Sequence, residues 1–139
     1  MMPMPSSFFG ASSTWRGKHW HAYMVLDSVD DPVSRWRRLQ REPDTVLDNP
    51  FAVAEWIEQR MLNLGARRAV SAVADHEWVE IKDAEDLAHL YGEHMLIASR
   101  GDSVYVDVYH PPRRVELFVE AVSRRQCEHH MTTASTQGG

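Results

Sequence analysis

The segment from Asp48 to Gly65 constrains the fold more than any other, because it specifies both ends of a helix. Asn49 followed by Pro50 is typical of a helix start. Proline has no backbone N–H, and in the first turn of a helix that N–H would have no partner within the helix. Gly65 is typical of the residue that follows a helix. The apolar residues in between recur at steps of three and four, so they share one face. They are Phe51, Ala54, Ile57, Met61 and Leu64. The sequence therefore predicts an amphipathic helix over residues 50–64.

Several shorter segments alternate apolar and polar residues at period two, which is typical of strands. They span residues 19–29, 77–81 and 103–109. Residues 94–99 would pair with 103–109 as a β-hairpin around Arg100-Gly101-Asp102. Residues 66–74 fit either a second helix or a strand, and the flanking Gly65 favours the strand.

Helices are predicted between these strands and after the last of them. Asp31, with the proline after it, would cap a short helix that ends before Pro43. Asp83 would cap another that ends at Gly92, and residues 115–122 would form the last helix. This order predicts an α+β fold: a mostly antiparallel sheet of about five strands with helices packed on one face. The middle of the chain resembles a split βαβ arrangement by topology.

The length of 139 residues fits one domain. Residues 1–17 and 127–139 show no burying pattern, so we expect a flexible N-terminal arm, a single domain over 18–126 and a flexible C-terminal tail. The arm carries three large aromatic side chains, for which docking on the domain is favoured over contact with a partner. They are Phe8, Phe9 and Trp15.

Composition narrows the expected location and partners. Fifteen basic against twenty acidic residues give a net charge of −5, which does not favour nucleic acid as a partner. Cys127 is the only cysteine, which favours a reducing compartment. The N-terminus lacks the basic and apolar regions of a signal peptide, and no apolar run could span a bilayer, so we expect a cytoplasmic protein without membrane contact. Arginine outnumbers lysine 13 to 2, which indicates a GC-rich bacterial genome.

The strongest candidate binding residues combine tryptophan, tyrosine and arginine, which are enriched at protein interfaces. Trp36 lies in an arginine-rich segment, and two tyrosines share one side of the strand over 103–109. The predicted binding residues are Trp36, Arg35, Arg37, Arg38, Arg41, Tyr105 and Tyr109. We therefore expect a small cytosolic binding or accessory protein, regulatory or neutralising, with a protein partner or a second copy of itself.

The same arginines support an alternative, a nucleic-acid-binding regulator with an arginine-rich face. Further arginine pairs lie at 67–68, 113–114 and 124–125. Acidic residues accompany the arginines in every segment, which favours ordinary solvated surfaces instead.

A third alternative is a metal-dependent enzyme that uses His19 and His21. Two histidines at this spacing point to the same side of a strand, which is an arrangement found in metal sites. A site needs at least one more converging ligand. Cys127 with His129 and His130 would form a second cluster of soft ligands, although a free thiol at a helix end is the favoured interpretation.

The sequence contains no nucleotide-binding or hydrolase motif. The patterns GxGxxG, GxSxG, HExxH and CxxC and the Walker lysine loop do not occur. We therefore expect no cofactor and favour a binding role over an enzymatic one.

Overall fold

A six-stranded sheet forms the centre of the fold in the computed structural model, which describes residues 15–26, 34–71, 78–123 and 127. The strands are β1 (Lys18–Leu26), β2 (Thr45–Leu47), β3 (Arg68–Ser71), β4 (Val79–Glu80), β5 (Val104–His110) and β6 (Arg113–Ser123). The helices are α1 (Arg35–Gln40), α2 (Pro50–Leu64) and α3 (Ala84–Ser99). The predicted α+β class is confirmed, with six strands where about five were expected.

The strands follow the order β2-β1-β6-β5-β3-β4, and each neighbouring pair is antiparallel. The parallel pair that a split βαβ unit contains is not found among these strands. The predicted strand over 66–74 is confirmed at β3, the predicted strand over 19–29 overlaps β1, and the predicted strand over 77–81 contains β4. Short β2, at the sheet edge, has no counterpart in the sequence prediction.

The long pairing of β1 with β6 is buried on both of its faces. The ladder extends along the whole of β1, from the pair Lys18–Ser123 onwards. Trp20 faces α2 and α3, whereas Tyr23 and Glu120 face the other side, and all three are at most 1% exposed. Because side chains alternate along a strand, burial of both sets requires cover on each side of the sheet.

Helices α2 and α3 cover the first face, and α2 has the predicted ends. The Asn49 side chain accepts a hydrogen bond from the Ala52 backbone N–H at 2.8 Å, and Gly65 has the left-handed φ of 66°. Phe51, which was expected on the buried face, is 64% exposed. The residues that α2 buries are Pro50, Val53, Ala54, Ile57 and Met61.

Helix α3 begins at its predicted cap but continues beyond its predicted end. The Asp83 side chain accepts a hydrogen bond from the Asp86 backbone N–H at 3.1 Å. The helix passes through Gly92, so the predicted strand at 94–99 and the predicted hairpin around residues 100–102 are wrong. Glycine costs a helix roughly 1 kcal/mol, which burial of side chains on both sides of it offsets. These side chains are Leu90, His94, Ile97 and Ala98.

The helix predicted over residues 115–122 is wrong, because this segment forms most of β6. The hairpin in this region joins β5 to β6 at Pro111 and Pro112. Apolar Phe118 and Val122 lie on the opposite side from the residues that face α2 and α3, and the combined pattern resembles the apolar stripe of a helix. The residues facing the helices are Val115, Leu117, Val119 and Ala121.

Helix α1 lies on the second face of the sheet, opposite α2 and α3, whereas the sequence predicted helices on one face. Its Arg38 guanidinium is 3.9 Å from the centre of the Phe118 ring. The predicted cap, Asp31, lies outside the described residues, and the helix begins after Ser34, whose hydroxyl accepts a hydrogen bond from the Arg37 backbone N–H at 3.3 Å. The prediction of a short helix here is confirmed, but the predicted cap is wrong.

Of the aromatic residues in the predicted arm, Trp15 packs on the domain. Its ring centre is 6.4 Å from that of Trp20, and it is partly buried against the core. Phe8 and Phe9, like the predicted tail beyond Cys127, lie outside the described residues, so the predicted flexibility of both ends stays a prediction. Within the described part of the chain, no helix has the length and apolar character needed to cross a membrane.

Candidate binding surface and histidine–cysteine cluster

A buried carboxylate lies on the sheet face that α1 covers. Glu120, on β6, is 0% exposed. Its Oε2 atom is 2.6 Å from Arg38 Nε, and its Oε1 atom is 3.2 Å from Arg35 Nε. The Tyr105 hydroxyl donates a hydrogen bond to Oε1 at 2.6 Å. Two guanidinium groups and one phenol therefore compensate a charge that would be very costly if it were buried alone.

These contacts fix the position of α1. Arg35 Nη2 also donates a hydrogen bond to the Ala121 carbonyl oxygen at 2.5 Å. Arg38 lies over the Phe118 ring and is 5.7 Å from the centre of the Tyr105 ring. A helix of six residues is unstable in isolation, so side chains that bind the sheet must hold it in place.

Two phenols near Glu120 keep their protons over the usual pH range. Burial and, as the next largest cause, the negative charge of Glu120 raise the pKa of Tyr23 to about 12. Burial, followed by the hydrogen bond to Glu120, also raises the pKa of Tyr105. Both hydroxyls therefore act as donors, and Tyr23 donates to the Arg41 carbonyl oxygen at 3.4 Å.

The structure separates the seven predicted binding residues into three groups. The group on the outer side of α1 and at its end is Trp36, Arg37 and Arg41. The group around Glu120 is Arg35, Arg38 and Tyr105. Tyr109 stands apart on β5, in an edge-on contact with Trp78 at 6.3 Å and under the Arg68 guanidinium at 5.0 Å. One sequence pattern therefore contains both bracing residues and exposed residues.

An open groove of about 600 Å³ lies near the β3–β4 edge of the sheet. Its lining includes the basic side chains of Arg67, Arg68 and Lys82, together with His110 and Glu80. The groove is separate from the outer surface of α1.

The structure brings His19 and His21 together with a residue from far along the chain. The two Nε2 atoms are 3.1 Å apart, and the Sγ atom of Cys127 is 3.9 Å from His21 Nε2. One ligand atom from each of the three residues lies within 4.8 Å of the others. His129 and His130 lie outside the described residues, so the predicted second cluster around Cys127 stays a prediction. Contact between Cys127 and β1 is long-range, so no local sequence pattern could have indicated it.

Burial lowers the pKa of His19, and the nearby negative charge of Asp48 partly opposes that shift. Asp48 follows Leu47, which pairs with Trp20 in the β1–β2 ladder. An acidic group therefore lies beside the histidine end of this cluster.

His94 on α3 is a buried polar residue that the sequence prediction did not single out. It is 0% exposed, and neither ring nitrogen has a hydrogen-bond partner in the described structure. Burial lowers its pKa to about 4, so the imidazole is neutral at ordinary pH. The sequence prediction placed it on a strand, where its helical neighbours could not be identified.

Comparisons with protein-family models, with curated proteins and with solved structures found no match to this chain.

Proposed function

We propose that this chain is a small binding or accessory protein that recognises a protein partner through the α1 surface, defined as Trp36, Arg37 and Arg41. The observation that carries the proposal is the 71% exposure of Trp36 on a helix whose inner side is braced against buried Glu120. An aromatic group on a fixed support loses little conformational freedom when it binds, which is the property of an interface anchor.

The chemistry of the α1 surface defines the partner. A tryptophan side chain buries about 150–250 Å² on binding, so the partner needs an apolar pocket for Trp36. Arg37 and Arg41 are exposed beside it and match acidic groups at the rim of such a pocket. The chain as a whole carries a charge of −5, but the α1 surface is locally positive. This local charge would orient the approach of an acidic partner.

The proposal includes a regulatory or neutralising role, because a braced anchor suits occlusion of a functional surface on another protein. A second copy of the chain is the other candidate partner. Consistent with one cysteine and the arginine-rich composition, we place the protein in the bacterial cytoplasm.

The test compares wild type with Trp36→Ala. Proteins captured by each from an extract of the encoding organism are identified, and the one lost with Trp36→Ala is purified and titrated calorimetrically. We expect its affinity to fall about 30-fold or more, which is the size of effect seen at anchor residues. If the partner is a second copy of the chain, sedimentation equilibrium should show weaker self-association for Trp36→Ala than for wild type.

Phe51→Ala is the matched control, because Phe51 is 64% exposed but lies on α2, across the sheet from α1. It should leave binding unchanged. Equal binding by Trp36→Ala and wild type, in both the partner and the self-association measurements, would contradict the proposal.

The nucleic-acid alternative is favoured by one observation, the groove lined by Arg67, Arg68 and Lys82. Phosphate contacts would make such binding strongly dependent on salt. Gel shifts at two salt concentrations, with Arg67→Ala/Arg68→Ala as the variant, test this alternative. Absence of binding at low salt would remove it.

A further inference from the structure

We propose that His19, His21 and Cys127 form a zinc-binding site to which the described part of the chain supplies three ligands. The three side chains offer two imidazole nitrogens and one sulfur, with all three atoms within 4.8 Å of one another. The inference is independent of the α1 surface and of any partner that binds there.

The distances are close to those that a zinc ion requires. Tetrahedral zinc, with Zn–N bonds near 2.05 Å and Zn–S bonds near 2.3 Å, separates two imidazole nitrogens by about 3.3 Å and a nitrogen from a sulfur by about 3.6 Å. The corresponding separations here are 3.1 Å between the Nε2 atoms and 3.9 Å between His21 Nε2 and Cys127 Sγ. Binding therefore requires shifts of a few tenths of an ångström at these two separations. The separation between His19 and Cys127, which is within 4.8 Å, must approach about 3.6 Å.

The two histidines have a rigid base. β1 pairs with β6 on one side and with β2 on the other. His21 lies opposite Glu120 in the first ladder and is 3% exposed, while His19 lies opposite Val122 and is half-buried. Two ligands are therefore preorganised by the sheet, and Cys127 adds the third from beyond the end of β6.

The ligand types select the metal. Imidazole and thiolate suit zinc, whereas magnesium and calcium take oxygen ligands. Binding releases the thiol proton to solvent as the sulfur–zinc bond forms, so the ligand is the thiolate. The carboxylate of Asp48 acts on His19 electrostatically and adds negative charge that favours a dication.

The test uses untagged, reduced protein and titrates it with Co²⁺, a spectroscopic substitute for Zn²⁺. We expect one equivalent to bind, with the near-ultraviolet charge-transfer band of a cobalt–thiolate bond and the visible bands of tetrahedral cobalt. One equivalent of Zn²⁺ should abolish both sets of bands. Zn²⁺ should also raise the melting temperature, because it binds the folded chain and fastens Cys127 to β1.

Cys127→Ser and His19→Ala are the variants, because both residues are partly exposed and so tolerate substitution. Cys127→Ser should lose the charge-transfer band and the thermal shift. His19→Ala should weaken cobalt binding by at least about 100-fold, since loss of even outer-shell partners costs about 10- to 100-fold. His89→Ala is the matched control, because its side chain is 73% exposed on α3 and contacts none of the three ligands; it should bind as wild type does.

A wild-type protein that shows no cobalt spectrum with excess metal would overturn the proposal. Retention of the charge-transfer band in Cys127→Ser, or of full affinity in His19→Ala, would also overturn it. Copper without zinc in the protein as isolated would overturn the assignment to zinc. None of these results depends on Trp36, so failure here and failure of the binding proposal are separate outcomes.

Discussion

The two faces of the sheet are both covered, but by different physical means. On the first face, α2 and α3 pack on apolar side chains such as Trp20, Val106 and Leu117. On the second face, α1 is held through Glu120 by ion pairs and hydrogen bonds, and the histidine–cysteine cluster lies beside it in the β1–β6 ladder. The first face is stabilised by the apolar area that it buries, whereas the second face is stabilised by a few directional contacts.

This difference separates stability from function. An apolar layer tolerates similar hydrophobic residues but does not select a ligand. A face that contains a paired acid, two histidines and a braced tryptophan has the directional groups that recognition requires. The α1 surface and the histidine–cysteine cluster both lie on the second face, so substitutions on the two faces should have different effects on stability.

The largest effect is expected for Trp20→Ala on the first face. Trp20 is 0% exposed, and its indole N–H donates to the Asp102 carbonyl oxygen at 3.0 Å. Its removal should lower the free energy of unfolding by about 3–5 kcal/mol, measured by urea denaturation. Trp36→Ala, the same change at the exposed site on α1, should change stability by less than about 0.5 kcal/mol. Equal losses at the two sites would contradict the comparison.

The next largest effect is a loss of stability at low pH, which we expect because His94 is buried in the apolar layer of the first face. Its pKa is about 4 in the folded protein and 6.5 as a model value, so the unfolded chain takes up the proton first as pH falls. The stability that depends on neutral His94 is fully present above about pH 6.5. The free energy of unfolding then falls progressively towards pH 4, by about 3 kcal/mol in total. Urea denaturation at pH 7, 5.5 and 4 measures this loss.

His94→Leu is the variant that tests the assignment. It should remove most of that slope, whereas His89→Ala should keep it, because His89 is exposed. An unchanged slope in His94→Leu would place the acid sensitivity elsewhere.

A smaller effect is expected for Arg38→Ala on the second face. The change removes one ion pair from buried Glu120 but leaves Arg35 and Tyr105 in contact with it. We expect a loss of about 2 kcal/mol, below the 3–5 kcal/mol typical when a buried charge is left without its partner. Arg37→Ala on the exposed side of α1 is the control and should be nearly neutral. Adding Glu120→Gln to Arg38→Ala should recover part of the loss, and failure to recover would argue against a charge effect.

The two faces also explain which elements could be predicted from the sequence. The ends of α2 are encoded locally by Asn49, Pro50 and Gly65, so they could be predicted. The sequence of β6 wrongly predicts a helix, because burial on both faces removes the alternation by which a strand is recognised. Gly92 indicates a helix end because glycine has a low helix propensity, which can be read locally. The packing of α3 that overrides this propensity involves residues far along the chain, so it cannot be read locally.

The candidate sites show the same division between local and long-range information. The sequence places His19 and His21 on one side of a strand, but Cys127 joins them through the fold. The arginines of α1 could be identified as a cluster, yet their separation into bracing and exposed residues depends on Glu120, which lies 82 positions from Arg38.

The position of β6 has a consequence for synthesis of the chain. It is the last described strand, yet it lies in the interior of the sheet between β1 and β5. While a ribosome is making the protein, β1 therefore waits with an unpaired edge and an uncovered apolar surface until residue 123 has emerged. Nascent chains that stall before β6 should need a chaperone to stay out of aggregates.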